Sequence, residues 1–175
     1  MSDNARVTLL FFSHILLYFI IGQINSLLGD WSLHLHLDAL LLVFFGLFLN
    51  HLKGLVFSAL LGFMADAVHP VPHGTYLIGY VLLWAFFVWS QRRIRRQSPL
   101  HVRTITVIAQ SLWLLGLALF LGAGLWTEWI YWQRILVDLL ASALVLFLVA
   151  WPWCWLQKKL LYSLGWDLDA QLTRM

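Results

Sequence analysis

Six apolar runs, at about 7–28, 33–50, 53–69, 75–91, 103–124 and 132–156, occupy most of this chain and decide its solvent. A hydrocarbon core of ~30 Å is crossed by about 20 helical residues, so runs of this length read as membrane helices, the second to fourth being short ones. The breaks at 29–32, 50–53, 69–74, 91–102 and 125–131 are too small to hold a globular domain. A chain of 175 residues that is 62% hydrophobic and 11% charged could not keep such runs from water by folding on itself. The expected fold class is therefore all-α, a polytopic integral membrane protein with a single transmembrane domain over 1–175 and a short tail at 157–175. The first run is long enough to span and has no small-residue cleavage site after it, so it reads as a transmembrane helix and not as a signal peptide.

Lys and Arg are retained on the cytoplasmic side of a membrane, and their distribution over alternate breaks sets the orientation. Arg6, Lys53, Arg92, Arg93, Arg95, Arg96, Arg103, Lys158, Lys159 and Arg174 fall on one side, and Arg134 alone falls on the other. Six spans with both termini cytoplasmic follow. The net charge of +3 reports this orientation and gives no reason to expect a nucleic-acid partner. Arg92, Arg93, Arg95 and Arg96 can also bind anionic lipid headgroups, at about 1 kcal/mol per cation near the surface. Cys154, flanked by Trp153 and Trp155, reads as an inert buried thiol.

Within this frame one acid needs explaining. Gly54, Ser58, Gly62 and Asp66 recur every four positions and form a ridge of small side chains leading up to a carboxylate. An ionisable group at membrane depth costs about 2.5–3.5 kcal/mol on insertion scales, so Asp66 should turn inward to a partner. The His69-Pro70-Val71-Pro72-His73-Gly74 turn that follows is stiff, because both prolines fix φ and Gly74 permits a sharp reversal. Asp66 should fix this outer corner by hydrogen bonds to a neighbouring helix or to a partner's juxtamembrane segment.

Asp38, Asp138, His14, Gln23, Asn25 and Gln110 also lie at membrane depth. Asp138 follows Arg134 by four residues, which predicts a local ion pair on one helix face that Ser142 continues inward. Proton or ion translocation would want acids at several depths, whereas all three acids cluster toward the outer side. His34, His36, His69 and His73 could hold zinc in principle, but they read as interfacial residues, and no metal or cofactor is expected. No G-x-S-x-G elbow or H-E-x-x-H helix occurs, so a non-enzymatic role is expected.

The stretch GLVFSALLGFMADAVHPVPHGTYLIGYVLL resembles the bacterial rod-shape-determining protein MreD family, whose Gly-rich helix, following turn and entry into the next helix are matched here by Gly62, Asp66, Gly74 and Tyr76. The similarity covers about thirty residues, and the proline-rich and histidine-rich turn departs from the pattern. The resemblance implies a scaffold subunit of the elongation machinery for peptidoglycan, the rod complex or elongasome, in the inner membrane. Its implied partners are an MreC-like bitopic protein and, through it, the actin-like MreB and the cell-wall synthases RodA and its transpeptidase. Gly54, Ser58, Gly62, Asp66, Gly74 and Tyr76 would then serve helix packing and partner contact. That family is also similar in architecture to the substrate-binding subunits of energy-coupling-factor transporters. The alternative expectation is thus an outward pocket for a small molecule, involving Asp66, His69, His73 and Trp31.

Overall fold

The computed structural model describes residues 3–91, 98–122 and 124–165. All regular structure among them is helical: α1 (Asp3–Leu28), a short 3-10 turn (Gly29–Trp31), α2 (Asp38–Phe48), α3 (His51–Val68), α4 (Thr75–Gln91), α5 (Pro99–Leu121) and α6 (Trp129–Ser163). Four segments, Thr8–Trp31, His51–Val68, Pro99–Leu121 and Trp129–Ser163, are long and apolar enough to cross a membrane, which makes this a membrane protein. The surface agrees, since large apolar side chains such as Phe12, Leu16, Phe63, Leu82, Leu112 and Leu144 point outward on every long helix. Such a surface is not stable in water and needs lipid or another protein against it.

The second run differs most from its expected form. Residues 33–37 are not helical, and helix begins only at Asp38, after Ser32 has turned the chain through a left-handed conformation (φ 54°). The resulting α2 has 11 residues, about 16 Å of rise, roughly half of what a span needs. Every residue from Ala39 to Phe48 is buried, with Leu42, Val43, Phe44 and Phe45 at 0% exposure. The helix is therefore the shared core of the bundle, packed by α3, α4, α5 and α6. Continuous apolarity, which suits lipid equally well, is here the mark of burial on all sides.

The remaining ends follow local chemistry. Asn50 accepts from Leu52 N–H at 3.1 Å and starts α3 as an N-cap. Pro99 sits in the first turn of α5, where its missing N–H costs nothing. α6 has 35 residues and rises about 52 Å, so it runs beyond the expected limit of 156 and beyond any hydrocarbon core. At that end Lys158 Nζ lies 4.1 Å from the Phe48 ring centroid and Lys159 Nζ 5.0 Å from that of Trp155. The proposed headgroup cations Arg92, Arg93, Arg95 and Arg96 lie outside the described residues, as does the tail from 166 onward.

Candidate functional site

The small-residue ridge of α3 is buried along its whole length, with Gly54, Ser58, Gly62 and Asp66 all inside. Its partner is the chain itself. A Cβ placed on Gly62 would stand 2.7 Å from Leu77 Cα and 2.8 Å from Tyr76 O, and one on Gly54 would stand 2.7 Å from both Phe45 O and Trp84 Nε1. Apart from the Trp84 ring these are backbone atoms, which cannot swing aside as a flexible side chain can, so glycine is what lets α4 and α2 close on α3. The expected close seam exists, but it is filled from within, and the ridge presents no free face to another chain.

Asp66 ends that ridge at the first turn of α4. Its Oδ1 accepts from Tyr76 N–H at 2.8 Å, and its Oδ2 accepts from Gly74 N–H and Leu77 N–H, both at 3.1 Å. These are the orphan amides every helix leaves at its N-terminus, where the macrodipole also favours a negative charge. The acid thus caps a helix to which it does not belong. Gly74 takes φ 92° to deliver the chain to this cap, a conformation that L side chains rarely adopt. Tyr76 then packs its ring against His69 at 4.5 Å and edge-on to Trp113 at 5.6 Å. Gly62, Asp66, Gly74 and Tyr76 are therefore parts of one corner.

Asp38 and Asp138 belong to a second polar construction around the extended segment. Non-helical backbone at membrane depth is tolerated only where protein or a water-filled cavity supplies its hydrogen bonds. Here side chains of two helices do so in strict alternation. From α6, Asp138 Oδ1 accepts from His34 N–H at 3.0 Å and Ser142 Oγ from His36 N–H at 2.9 Å. From α1, the Asn25 amide accepts from Leu35 N–H at 2.8 Å and donates to Leu35 O at 2.9 Å. Residues 34–36 are held like a strand whose neighbours are side chains, with the period of two that a strand imposes. Asp38, opening α2, accepts from Tyr80 Oη at 2.6 Å and from Gln110 Nε2 at 3.4 Å, while Gln110 Oε1 accepts from Ala39 N–H at 2.8 Å.

The Arg134–Asp138 ion pair expected from their spacing is corrected by this arrangement. Arg134 is exposed, Asp138 is 7% exposed, and the carboxylate is engaged by the His34 amide instead. Withdrawal into the bundle to reach that amide takes the acid away from a flexible side chain that water solvates well. The histidines also separate. The His34 and His36 rings lie 4.8 Å apart, His69 Nδ1 is 3.0 Å from Ala65 O, and His73 is exposed on the turn. No three His, Cys, Asp or Glu side chains converge on a common point among the described residues. Trp31 is 82% exposed and stands off from the rest.

A cavity of about 390 Å³ opens where α1, the extended segment, the start of α2, the end of α3 and the start of α4 meet. Its wall includes Tyr18, Asn25, His34, His36, Asp38, His69 and Tyr76, but neither Asp66 nor His73. The polar residues of this wall are visible in the sequence one by one. Sequence reasoning missed Tyr18, which lines this wall, and Tyr80, which donates to Asp38 without lining it, because a tyrosine in an apolar run looks like any other aromatic side chain. Deeper in, His14 is fully buried against Phe45 at 4.2 Å and Trp153 at 5.4 Å, and Ser13 Oγ donates to Gln157 Oε1 at 3.0 Å to tie α1 to α6. No family model, curated protein or solved structure matches the chain.

Proposed function

We propose that this protein is a non-enzymatic scaffold subunit of the bacterial rod complex, a member of the MreD family that sits in the inner membrane and supports peptidoglycan synthesis and cell shape. It would cross the membrane six times with both termini cytoplasmic, the second crossing being made by residues 33–37 together with α2 and the fourth by the short α4. The observation that carries the reading is the outer corner: the residues that match the family's motif, Gly62, Asp66, Gly74 and Tyr76, form one hydrogen-bonded and close-packed unit. A motif that builds a corner is a motif for shape.

Because the ridge is filled from within, contact with an MreC-like bitopic partner would be made on the outward apolar faces. α1 is the leading candidate, since Phe12, Leu16, Phe19 and Leu27 are all more than half exposed and only 11% of its apolar window is buried. MreB, RodA and its partner transpeptidase would be reached through that partner, with anionic lipids at the cytoplasmic side. Co-purification from mild detergent tests the reading. Recovery of a single-span coiled-coil protein with cell-wall synthases supports it, and recovery of an ATPase-bearing complex would sink it.

The second reading is a substrate-binding subunit of an energy-coupling-factor type transporter, in the architecture the resemblance implies. One observation favours it, the outer cavity beside Asp38 and His69. Its size lies at the low end of the range for small-molecule sites.

A further inference from the structure

We infer that the outer cavity is a binding site for an organic ammonium group, with Asp38 as its counter-charge and Tyr18 as a second polar contact. The inference holds whichever role the chain has in its complex. Among the described residues, Asp38 is the only carboxylate on the cavity wall, and no Lys or Arg lines it. Of the roughly four lone-pair sites of a carboxylate, Tyr80 and Gln110 take one each, which leaves acceptor capacity and a negative charge without a cation. Tyr18 lines the same cavity, and its phenol oxygen is buried with no hydrogen-bond partner among the described residues. A buried hydroxyl in that state costs about 1–3 kcal/mol unless something fills the space beside it.

The rest of the wall fits a cation with an apolar body. Tyr18, Phe19 and Tyr76 bring aromatic rings, whose π-systems attract ammonium groups, to the wall, while Ile21, Leu41 and Val68 accept alkyl carbon. An anion would meet the Asp38 carboxylate, and a neutral alcohol would leave its charge unpaired. The wall is also built to hold its shape, since the extended segment is pinned from both sides by Asn25, Asp138 and Ser142. A pocket fixed before its ligand arrives loses less on binding. Ammonium of this kind has two sources, a soluble amine or the ethanolamine headgroup of a phospholipid.

The test uses the full chain in lipid nanodiscs. In discs of phosphatidylglycerol alone, titration with butylammonium chloride reads the soluble source; in discs containing phosphatidylethanolamine, native mass spectrometry reads retention of that lipid. One of the two should be saturable, weakened about tenfold or more in Asp38→Asn, which keeps an acceptor for Tyr80, and absent when butanol replaces the amine. Tyr18→Phe should weaken binding about three- to tenfold without loss of thermal stability, because the hydroxyl it removes has no internal partner. Saturable binding in neither arm, equal binding by Asp38→Asn, or equal binding of butanol overturns the inference. Should Asp38→Asn not fold, the contrast between butylammonium and butanol and the Tyr18→Phe result decide in the same way.

Discussion

Replacing Asp66 by alanine removes the acceptor for three backbone amides at once, and the structure sets the size of the effect. Tyr76 N–H is buried, so losing its partner at 2.8 Å costs about 1–3 kcal/mol, the penalty for a stranded donor. Gly74 and Leu77 are partly buried and lose bonds of 3.1 Å, about 1 kcal/mol each since water reaches them in part. Loss of a negative charge at a helix N-terminus adds roughly 0.3–1 kcal/mol. The sum for Asp66→Ala is about 3–6 kcal/mol, or a factor of roughly 10² to 10⁴ in the unfolding equilibrium. Asp66→Asn keeps one oxygen with two lone pairs, enough for Gly74 and Leu77 or for Tyr76, so it should cost about half as much. Equilibrium unfolding in mixed micelles, followed by tryptophan fluorescence, reads both variants against the native chain. The expected order is native, then Asn, then Ala, in steps well above measurement error. If both variants unfold within about 0.5 kcal/mol of the native chain, the carboxylate is not the cap described here and the corner is held by something else.

The other predictions use the same measurement or a labelling assay. Gly62→Ala should destabilise by about 1–3 kcal/mol because its Cβ would press on Leu77 Cα and Tyr76 O, whereas Gly116→Ala, with nothing within 4 Å, should be neutral or slightly stabilising; matching effects would remove the close-packing argument. Tyr80→Phe should cost about 1–3 kcal/mol, since Asp38 loses a 2.6 Å donor inside the bundle, and an unchanged unfolding curve would show that the bond carries no weight. Ser142→Ala should free His36 N–H and speed hydrogen exchange at residues 34–36, with exchange at native rates counting against the pinned-segment description. Membrane-impermeant thiol reagents should reach His73→Cys and Ser98→Cys from opposite sides of the membrane, in a background with Cys154 replaced by Ser, and same-side labelling would overturn the six-span orientation.

Much of this fold can be read from local pattern, and the part that cannot has a common cause. Apolar runs and their breaks locate every helix, because hydrophobic length is a local quantity. The ridge on α3 is likewise local, since a four-residue repeat of small side chains defines a face wherever the helix ends up. What covers that face is not. The same repeat could have met another chain, and only the placement of Leu77 and Trp84 shows that it meets α4. α2 hides for the opposite reason: its apolar residues say buried or lipid-facing with equal force, and the neighbours that settle the matter come from five other helices. Asp138 was assigned to Arg134 because four residues is a short reach, yet the amide it serves lies 104 positions away. The spacing of His34 and His36 does hint at an extended segment, and Asp138 and Ser142 do share one helical face. Nothing local says that the two patterns fit each other.

The same separations imply an order of assembly during synthesis. Asp66 finds its amides only eight to eleven residues later, so the charge can be hidden as soon as the α3–α4 hairpin has left the ribosome. Asp38 must wait 42 residues for Tyr80 and 72 for Gln110. The amides of His34 and His36 wait longer still, for residues 104 and 106 positions on. Until α6 arrives, the segment before α2 has open backbone and the cavity beside it has no finished wall. α6 is the helix that closes the first loop, and a chain truncated before it would carry a sound corner and an unmade pocket.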